Sequence, residues 1–259
     1  MSEERAGGLW SRARGSGPEF VLLHPGGTDS RALDPLVAEL AGRYQVITPD
    51  QRAHGRTPDR EGPLSYAAMA EDTIAFLEEE AGAPVHLLGY SDGAVVALTV
   101  ALRRPDLVRD LVLAAGVHHR DGWEPGVLAG EAEVPAFMVD AYAEVSPDGR
   151  EHYGEVAAKL RRMHEEGPVF TDADLAGLDL PVLVLVGDDD EVRLEHAVAA
   201  YRALPHGELA VVPHASHGVL VEKPQLCARL ITDFHAADKP ATFAPRRRRS
   251  LGAGAEEAQ

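Results

Sequence analysis

A single cysteine, Cys227, occurs among the 259 residues, so no disulfide can form within the chain. None is needed, because about 250 residues bury enough apolar surface to fold unaided. No stretch approaches the roughly 18 uninterrupted apolar residues of a membrane span. The polar start Met1-Ser2-Glu3-Glu4-Arg5 is not followed by the apolar core of a secretory signal. With one free thiol, these features lead to the expectation of a soluble, cytoplasmic protein. Basic charge is also scarce: 25 Lys and Arg stand against 42 Asp and Glu, for a net charge of −17. Such a balance argues against a nucleic-acid surface. The exception is the run Arg246 to Arg249, followed by Gly, Ala and Glu. Residues 238–259 are expected to be a solvated, disordered tail. The expected partner is a small molecule, with neither nucleic acid nor membrane; composition says nothing of oligomeric state.

No internal repeat is found. Short apolar runs alternate with helix-like segments, which is the pattern of a parallel sheet with crossover helices. The runs are Phe20–Leu23, Gln45–Ile47, Val85–Leu88, Leu111–Ala114, Val182–Val186 and Leu209–Val212. They are apolar throughout rather than alternating, as in strands covered on both faces. Leu33, Leu36, Val37 and Leu40 share one helical face, and so do Tyr66, Met69, Ala70, Thr73, Ile74 and Leu77. Ala94 to Leu102 is apolar nearly all round and predicts a central buried helix. Leu194–Leu204 and Pro224–Phe234 predict later crossover helices. Residues 117–178 break the alternation, with four prolines and helical stretches near Ala136–Val145 and Gly154–His164. They are expected to form a helical lid. The implied organisation is an N-terminal segment, 1–17, with a possible edge strand; an α/β core, 18–116 and 179–237; the lid, 117–178; and the tail, 238–259.

Gly89-Tyr90-Ser91-Asp92-Gly93 matches G-x-S-x-G between a strand and a buried helix, the setting of a strained turn that exposes a serine hydroxyl. The helix N-terminus aims free N–H groups and positive potential at that serine. His24-Pro25-Gly26-Gly27-Thr28 follows the first strong strand, and its N–H groups can face a developing oxyanion. Pro25 has no N–H, so Gly26 is the first choice as donor, Gly27 the second, and Asp92 supplies the other. His24 is read as a hydrogen-bonded structural residue. The strand Val182–Val186 runs through Gly187 into Asp188-Asp189-Asp190-Glu191, beyond a strand's C-terminal end, where open α/β sheets place functional carboxylates. A solvated acidic turn or a helix N-cap is the other reading of these aspartates. His217 comes 27 residues after Asp190, which leaves room for one helix and one strand between them. The order Ser, Asp, His is that of one fold among those that carry this constellation. His214 and His217 have a spacing that metal ligands also show, but no third and fourth ligand accompany them, so no metal and no cofactor is expected. Calcium at the aspartates lacks converging oxygens. His118-His119 are taken as surface or pocket residues and Cys227 as a buried structural thiol.

These segments, together with Pro49-Asp50-Gln51-Arg52-Ala53-His54-Gly55-Arg56-Thr57 and His214 to Pro224, resemble the α/β-hydrolase superfamily over about residues 18–236. The resemblance implies an α/β fold with a mostly parallel sheet, flanking helices and a helical lid. It implies a triad of Ser91, Asp190 and His217, with the acid at the last aspartate of Gly187-Asp188-Asp189-Asp190. Two departures stand out, Pro25 and Ala53, where many relatives carry glycine; the second is expected to cost little. The elbow is similar to that of valacyclovir-hydrolase-like members, in which the aspartate beside the nucleophile goes with substrates bearing a free α-amino group. Asp92 and Tyr90 are therefore the candidate substrate contacts. The expected activity is cleavage of a small-molecule ester or lactone through an acyl-enzyme. Other readings are hydrolysis of α-amino-acid esters through Asp92, a non-catalytic binding protein, or a lyase or peroxidase-like member of the same fold.

Overall fold

In the computed structural model, residues 2–80, 84–128, 134–237, 239 and 242–245 are described. The Arg246–Arg249 run and most of 238–259 lie outside the described residues. The elements in chain order are β1 (Ser2–Ala6), β2 (Leu9–Gly15), β3 (Glu19–Leu23), α1 (Asp34–Leu40), β4 (Gln45–Asp50), α2 (Tyr66–Glu80), β5 (Val85–Tyr90), α3 (Asp92–Arg103) and β6 (Val108–Ala114). After them come α4 (Ala136–Val145), α5 (Tyr153–Glu166), α6 (Asp172–Ala176), β7 (Val182–Asp189), α7 (Leu194–Ala203), β8 (Gly207–Ser216), α8 (Val219–Glu222) and α9 (Pro224–His235). The eight strands form one sheet in the order β1-β2-β4-β3-β5-β6-β7-β8. β1–β2 and β2–β4 pair antiparallel, and the other neighbours pair parallel.

The continuous apolar runs sort themselves by the strand period of two. Val21 and Leu23, Val85 and Leu87, Leu111 and Leu113, and Val182, Val184 and Val186 pack with residues of α2, α3 and α7. Their alternates Phe20 and Leu22, Leu88 and Tyr90, Val112 and Ala114, and Leu183 and Leu185 pack with residues of α1, α8 and α9. Both faces are thus covered, which is why no strand of the sheet's centre shows polar alternation. α3 lies against the middle of the sheet with its residues from Asp92 to Ala101 buried.

Two stretches differ from the sequence expectation. The N-terminal segment forms two strands, β1 and β2, which add an antiparallel edge. Their charged residues hide the period-2 signal. β8 extends from Gly207 to Ser216, well past the apolar run Leu209–Val212. It is the last strand of the sheet, so much of it faces water, and Pro213 is tolerated there because an edge strand has one unpaired side. Between β6 and β7 the described residues are helical, in α4, α5 and α6, with isolated bridges His119–Val169 and Trp123–Val192. No described helix is long and apolar enough to cross a membrane.

Candidate active site

Ser91 sits between the C-terminal end of β5 and the first turn of α3, with φ 55° and ψ −118°. A positive φ is uncommon for a residue with a side chain and marks stored backbone strain. The turn is possible because its neighbours are glycines: a Cβ at Gly89 would strike the backbone of Gly93 and Ala94, and one at Gly93 would strike the carbonyls of Leu23 and His24. The Ser91 N–H donates to the Ala114 carbonyl at 2.9 Å, which ties the turn to β6.

Three loops at the same end of the sheet bring the remote residues in. Ser91 Oγ and His217 Nε2 are 3.0 Å apart, and His217 Nδ1 and Asp190 Oδ1 are 2.8 Å apart. The carboxylate accepts from Nδ1–H, so Nε2 is left as an acceptor for the Ser91 hydroxyl. Asp190 has no exposed side-chain surface. It also accepts from the N–H of Gly187 and of Val192, both at 3.1 Å. Burial acts to lower the His217 pKa, but the hydrogen bond and charge of Asp190, with Glu191 and Asp92 behind them, outweigh it and hold it above the ordinary imidazole value. The Trp123 ring meets the His217 ring edge-on, 5.7 Å between centroids.

The oxyanion loop is partly corrected. Gly27 donates its N–H to His54 Nε2 at 3.0 Å, so that N–H is engaged and Gly27 is not a free donor. Burial lowers the His54 pKa to about 4. The ring is therefore neutral near pH 7 and keeps an acceptor nitrogen for Gly27. Among the described residues no hydrogen-bond acceptor is recorded for the N–H groups of Gly26 and Asp92. The loop itself is braced by His24, whose Nε2 accepts from the Gln51 N–H at 3.0 Å, the structural role expected of it. Ala53 takes φ +64°; a left-handed conformation costs an L residue about 1 kcal/mol, whereas glycine adopts it freely.

Tyr90 and Asp92 do not have the surroundings of substrate contacts. Tyr90 is buried in the layer with α8 and α9, and its hydroxyl donates to the His217 carbonyl at 2.6 Å. Asp92 is 3% exposed. Its Oδ1 accepts from the Tyr66 hydroxyl at 2.7 Å, and the His164 ring nitrogen Nε2 lies 3.0 and 2.9 Å from its two oxygens. His164 thus already pairs with the carboxylate expected to meet a substrate ammonium group. His164, Tyr66, His54 and Tyr153 are site neighbours that sequence reasoning missed. His164 lies in the predicted helix Gly154–His164, but its partner is 72 residues away, and no spacing rule links the two.

The remaining expectations fall outside the site or are changed. Asp188 accepts from the Ala215 N–H at 3.2 Å. His118, expected at the surface or in a pocket, is buried and stacked on His196, 4.0 Å between centroids. Cys227 is fully buried and its thiol is pushed up to about 11. Among the described residues one group has metal-ligand types gathered together: His86, Asp110 and His235, with atoms within 4.8 Å of one another. It lies toward the opposite end of the strands from Ser91. His86 Nδ1 is 2.7 Å from Asp110 Oδ2, which accounts for that pair as a hydrogen bond. Two cavities among the described residues, about 720 and 680 Å³, lie beside α6 and α7 and beside Asp188 and His214. A smaller one of about 270 Å³ opens between the oxyanion loop at Gly27 to Asp29 and the Phe137–Tyr142 stretch of α4.

A mostly parallel open sheet with a serine on a strand-to-helix turn, facing a carboxylate-paired imidazole, defines a class of α/β protein shared by many hydrolases. The chain belongs to the alpha/beta hydrolase family, whose profile matches residues 20–230. It is 27% identical to the 2-(acetamidomethylene)succinate hydrolase of Mesorhizobium japonicum, over 86% of this chain and 90% of the relative. It is 28% identical to the pimeloyl-[acyl-carrier protein] methyl ester esterase of Aeromonas hydrophila, over 85% of this chain and 96% of the relative. Among solved structures, a serine hydrolase involved in carbazole degradation superposes with a TM-score of 0.76 at 19% identity, covering 90% of this chain and 98% of that one. The enol-lactonase from Burkholderia xenovorans gives 0.71 at 19% identity, covering 90% and 99%. These structural likenesses establish the fold.

Proposed function

We propose that this protein is a serine hydrolase that cleaves a small-molecule ester through an acyl-enzyme. The observation that carries the reading is the continuous chain of contacts from Ser91 Oγ through the two nitrogens of His217 to the buried Asp190 carboxylate. His217 Nε2 takes the Ser91 proton as Oγ attacks the ester carbonyl. Asp190 holds the ring in the tautomer that makes this possible and stabilises the imidazolium. The N–H groups of Gly26 and Asp92 stabilise the oxyanion, at a turn where the α3 dipole adds to them. The carbonyl re-forms as the alcohol leaves with the proton from His217. Water, deprotonated by the same nitrogen, then attacks the acyl-enzyme and releases the acid and Ser91. The esterase activity named for the Aeromonas relative supports the bond class. α4 and α5 act as a lid, and the cavity beside Gly27 and Met138 receives part of the substrate.

The test is hydrolysis of p-nitrophenyl esters and labelling by a fluorophosphonate, in wild type and Ser91→Ala. Wild type turns over and is labelled at Ser91; the variant does neither and keeps its far-UV circular dichroism. Undiminished turnover by the variant removes Ser91 from the reaction. The α-amino-ester reading is not favoured, because His164 already pairs with Asp92.

A further inference from the structure

The Asp92 carboxylate poses an electrostatic problem for a residue whose own N–H serves an oxyanion. It is buried, and its Oδ2 lies so close to the Gly26 Cα that a Cβ there would collide with it. A negative charge at that point opposes the negative charge that forms during acyl transfer. Among the described residues its side-chain hydrogen-bond partners are Tyr66, a neutral hydroxyl, and His164, which can carry a positive charge. His54 stands nearby, but its burial keeps it neutral near pH 7.

His164 comes from α5, and α5 makes a second contact with the same loop. The Tyr153 hydroxyl donates to the Gly27 carbonyl at 2.8 Å. Residues 153 and 164 are about three helical turns apart and so lie on one face of α5. Between them Val156, Leu160 and Met163 are buried on that side. One helix therefore grips both walls of the oxyanion pocket, the loop after β3 through Tyr153 and the start of α3 through His164. With Gly27 N–H held by His54, its peptide groups are fixed on both sides.

We propose that His164 is a positioning residue that cancels the charge of Asp92 beside the oxyanion pocket and, with Tyr153, holds the helical insertion closed over it. The proposal rests on the acyl-transfer reading above. The direction of titration agrees with it. Burial works against charge on both partners, yet their mutual attraction and hydrogen bonding outweigh it, holding the Asp92 pKa below and the His164 pKa above their ordinary values. Asp92 from α3 faces the ring, and Tyr66 from α2 and His54 act on Asp92 from its other contacts.

The experiment compares wild type, His164→Gln, Asp92→Asn and the double variant, in the full chain, with p-nitrophenyl acetate. His164→Gln keeps a donor but loses the charge. Its kcat falls about 10-fold or more, short of the 100- to 1000-fold of losing an oxyanion donor, while KM changes little. In the double variant no charge remains to be cancelled, so kcat recovers most of the loss. Two independent and additive losses, leaving the double variant slower than His164→Gln, overturn the proposal, as does a His164→Gln variant as fast as wild type. A wild type that neither hydrolyses nor labels instead overturns the acyl-transfer reading and this inference together. Should His164→Gln fail to fold, ring carbon NMR of wild type and Asp92→Asn decides: the His164 ring is charged at pH 7 in wild type and loses that charge in Asp92→Asn. A neutral ring at pH 7 in wild type overturns the proposal.

Discussion

The Tyr90 hydroxyl donates to the backbone carbonyl of His217 across 2.6 Å, so the residue that precedes Ser91 is tied to the residue whose ring faces Ser91 Oγ. The end of β5 and the turn after it thereby carry adjacent residues with complementary tasks. Ser91 points its hydroxyl up at the imidazole, and Tyr90, alternating to the other face, holds the loop that carries the imidazole. The Tyr90 phenol is pushed well above its ordinary pKa, first by burial and then by the nearby carboxylates Asp190, Glu222 and Glu191. It is therefore protonated, and a donor, near pH 7.

Replacing Tyr90 by Phe removes that donor and leaves the ring. Stability falls by about 1 kcal/mol, the net worth of one such bond, read from the urea midpoint. The rate with p-nitrophenyl acetate falls less than 10-fold, with the change in kcat rather than KM, because the loop loosens without losing its histidine. A larger change in KM than in kcat returns Tyr90 to the role of substrate contact.

The second prediction concerns pH. His217 acts as a base only when neutral, so kcat/KM rises as pH passes upward through its pKa. That pKa is raised by Asp190, and more weakly by Glu191 and Asp92, against the effect of burial. In Asp190→Asn the rising limb of the profile moves to lower pH, although Glu191 and Asp92 still hold it up in part. The plateau falls by about 10⁴-fold, the magnitude for an acid whose loss releases the wrong imidazole tautomer. An acid limb that stays in place while the plateau falls shows that another group titrates there.

Acid stability supplies the third. His54 titrates near 6.5 when unfolded and at about 4 in the fold, chiefly because it is buried. The unfolded chain therefore binds more protons between those values. Stability contributed by neutral His54 is whole above pH 6.5 and is lost as pH falls through about 4, by up to about 3 kcal/mol. His196, lowered to about 3 mainly by burial, adds to the same slope. His54→Leu is less stable than wild type at pH 7, since Gly27 loses its acceptor, but its urea midpoint drops less steeply between pH 6.5 and 4. Parallel slopes in the two proteins refute the assignment.

Much of this molecule could be read from one-dimensional pattern. The runs at Phe20–Leu23, Val85–Leu88 and Val182–Val186 are strands because both faces of a central strand must be apolar. Ser91 is recognisable because a strained turn needs Gly89 and Gly93 around it. Other features gave no such signal. β1 and β2 show no continuous apolar run, because Glu3, Glu4, Arg5, Arg12 and Arg14 interrupt it, although Leu9 and Trp10 are buried. The elbow's resemblance makes Tyr90 a candidate substrate contact, but the pleat turns it to the opposite face. The glycine-rich turn after β3 makes Gly27 a candidate donor, but its neighbours along the chain do not say where its N–H points.

Local chemistry along the chain determined the alternation of strands and helices, the elbow at Ser91, and the order of Ser91, Asp190 and His217. Those follow from side-chain volume, backbone freedom and spacing, which act between near neighbours. Tertiary structure alone decided that Asp92 meets His164, that Gly27 is engaged by His54, and that Tyr90 supports the His217 loop. Each is a contact between residues 27 to 127 positions apart. A hydrogen bond is specified by a few ångströms in space, and distance along the sequence does not encode it until the sheet has brought the loops together.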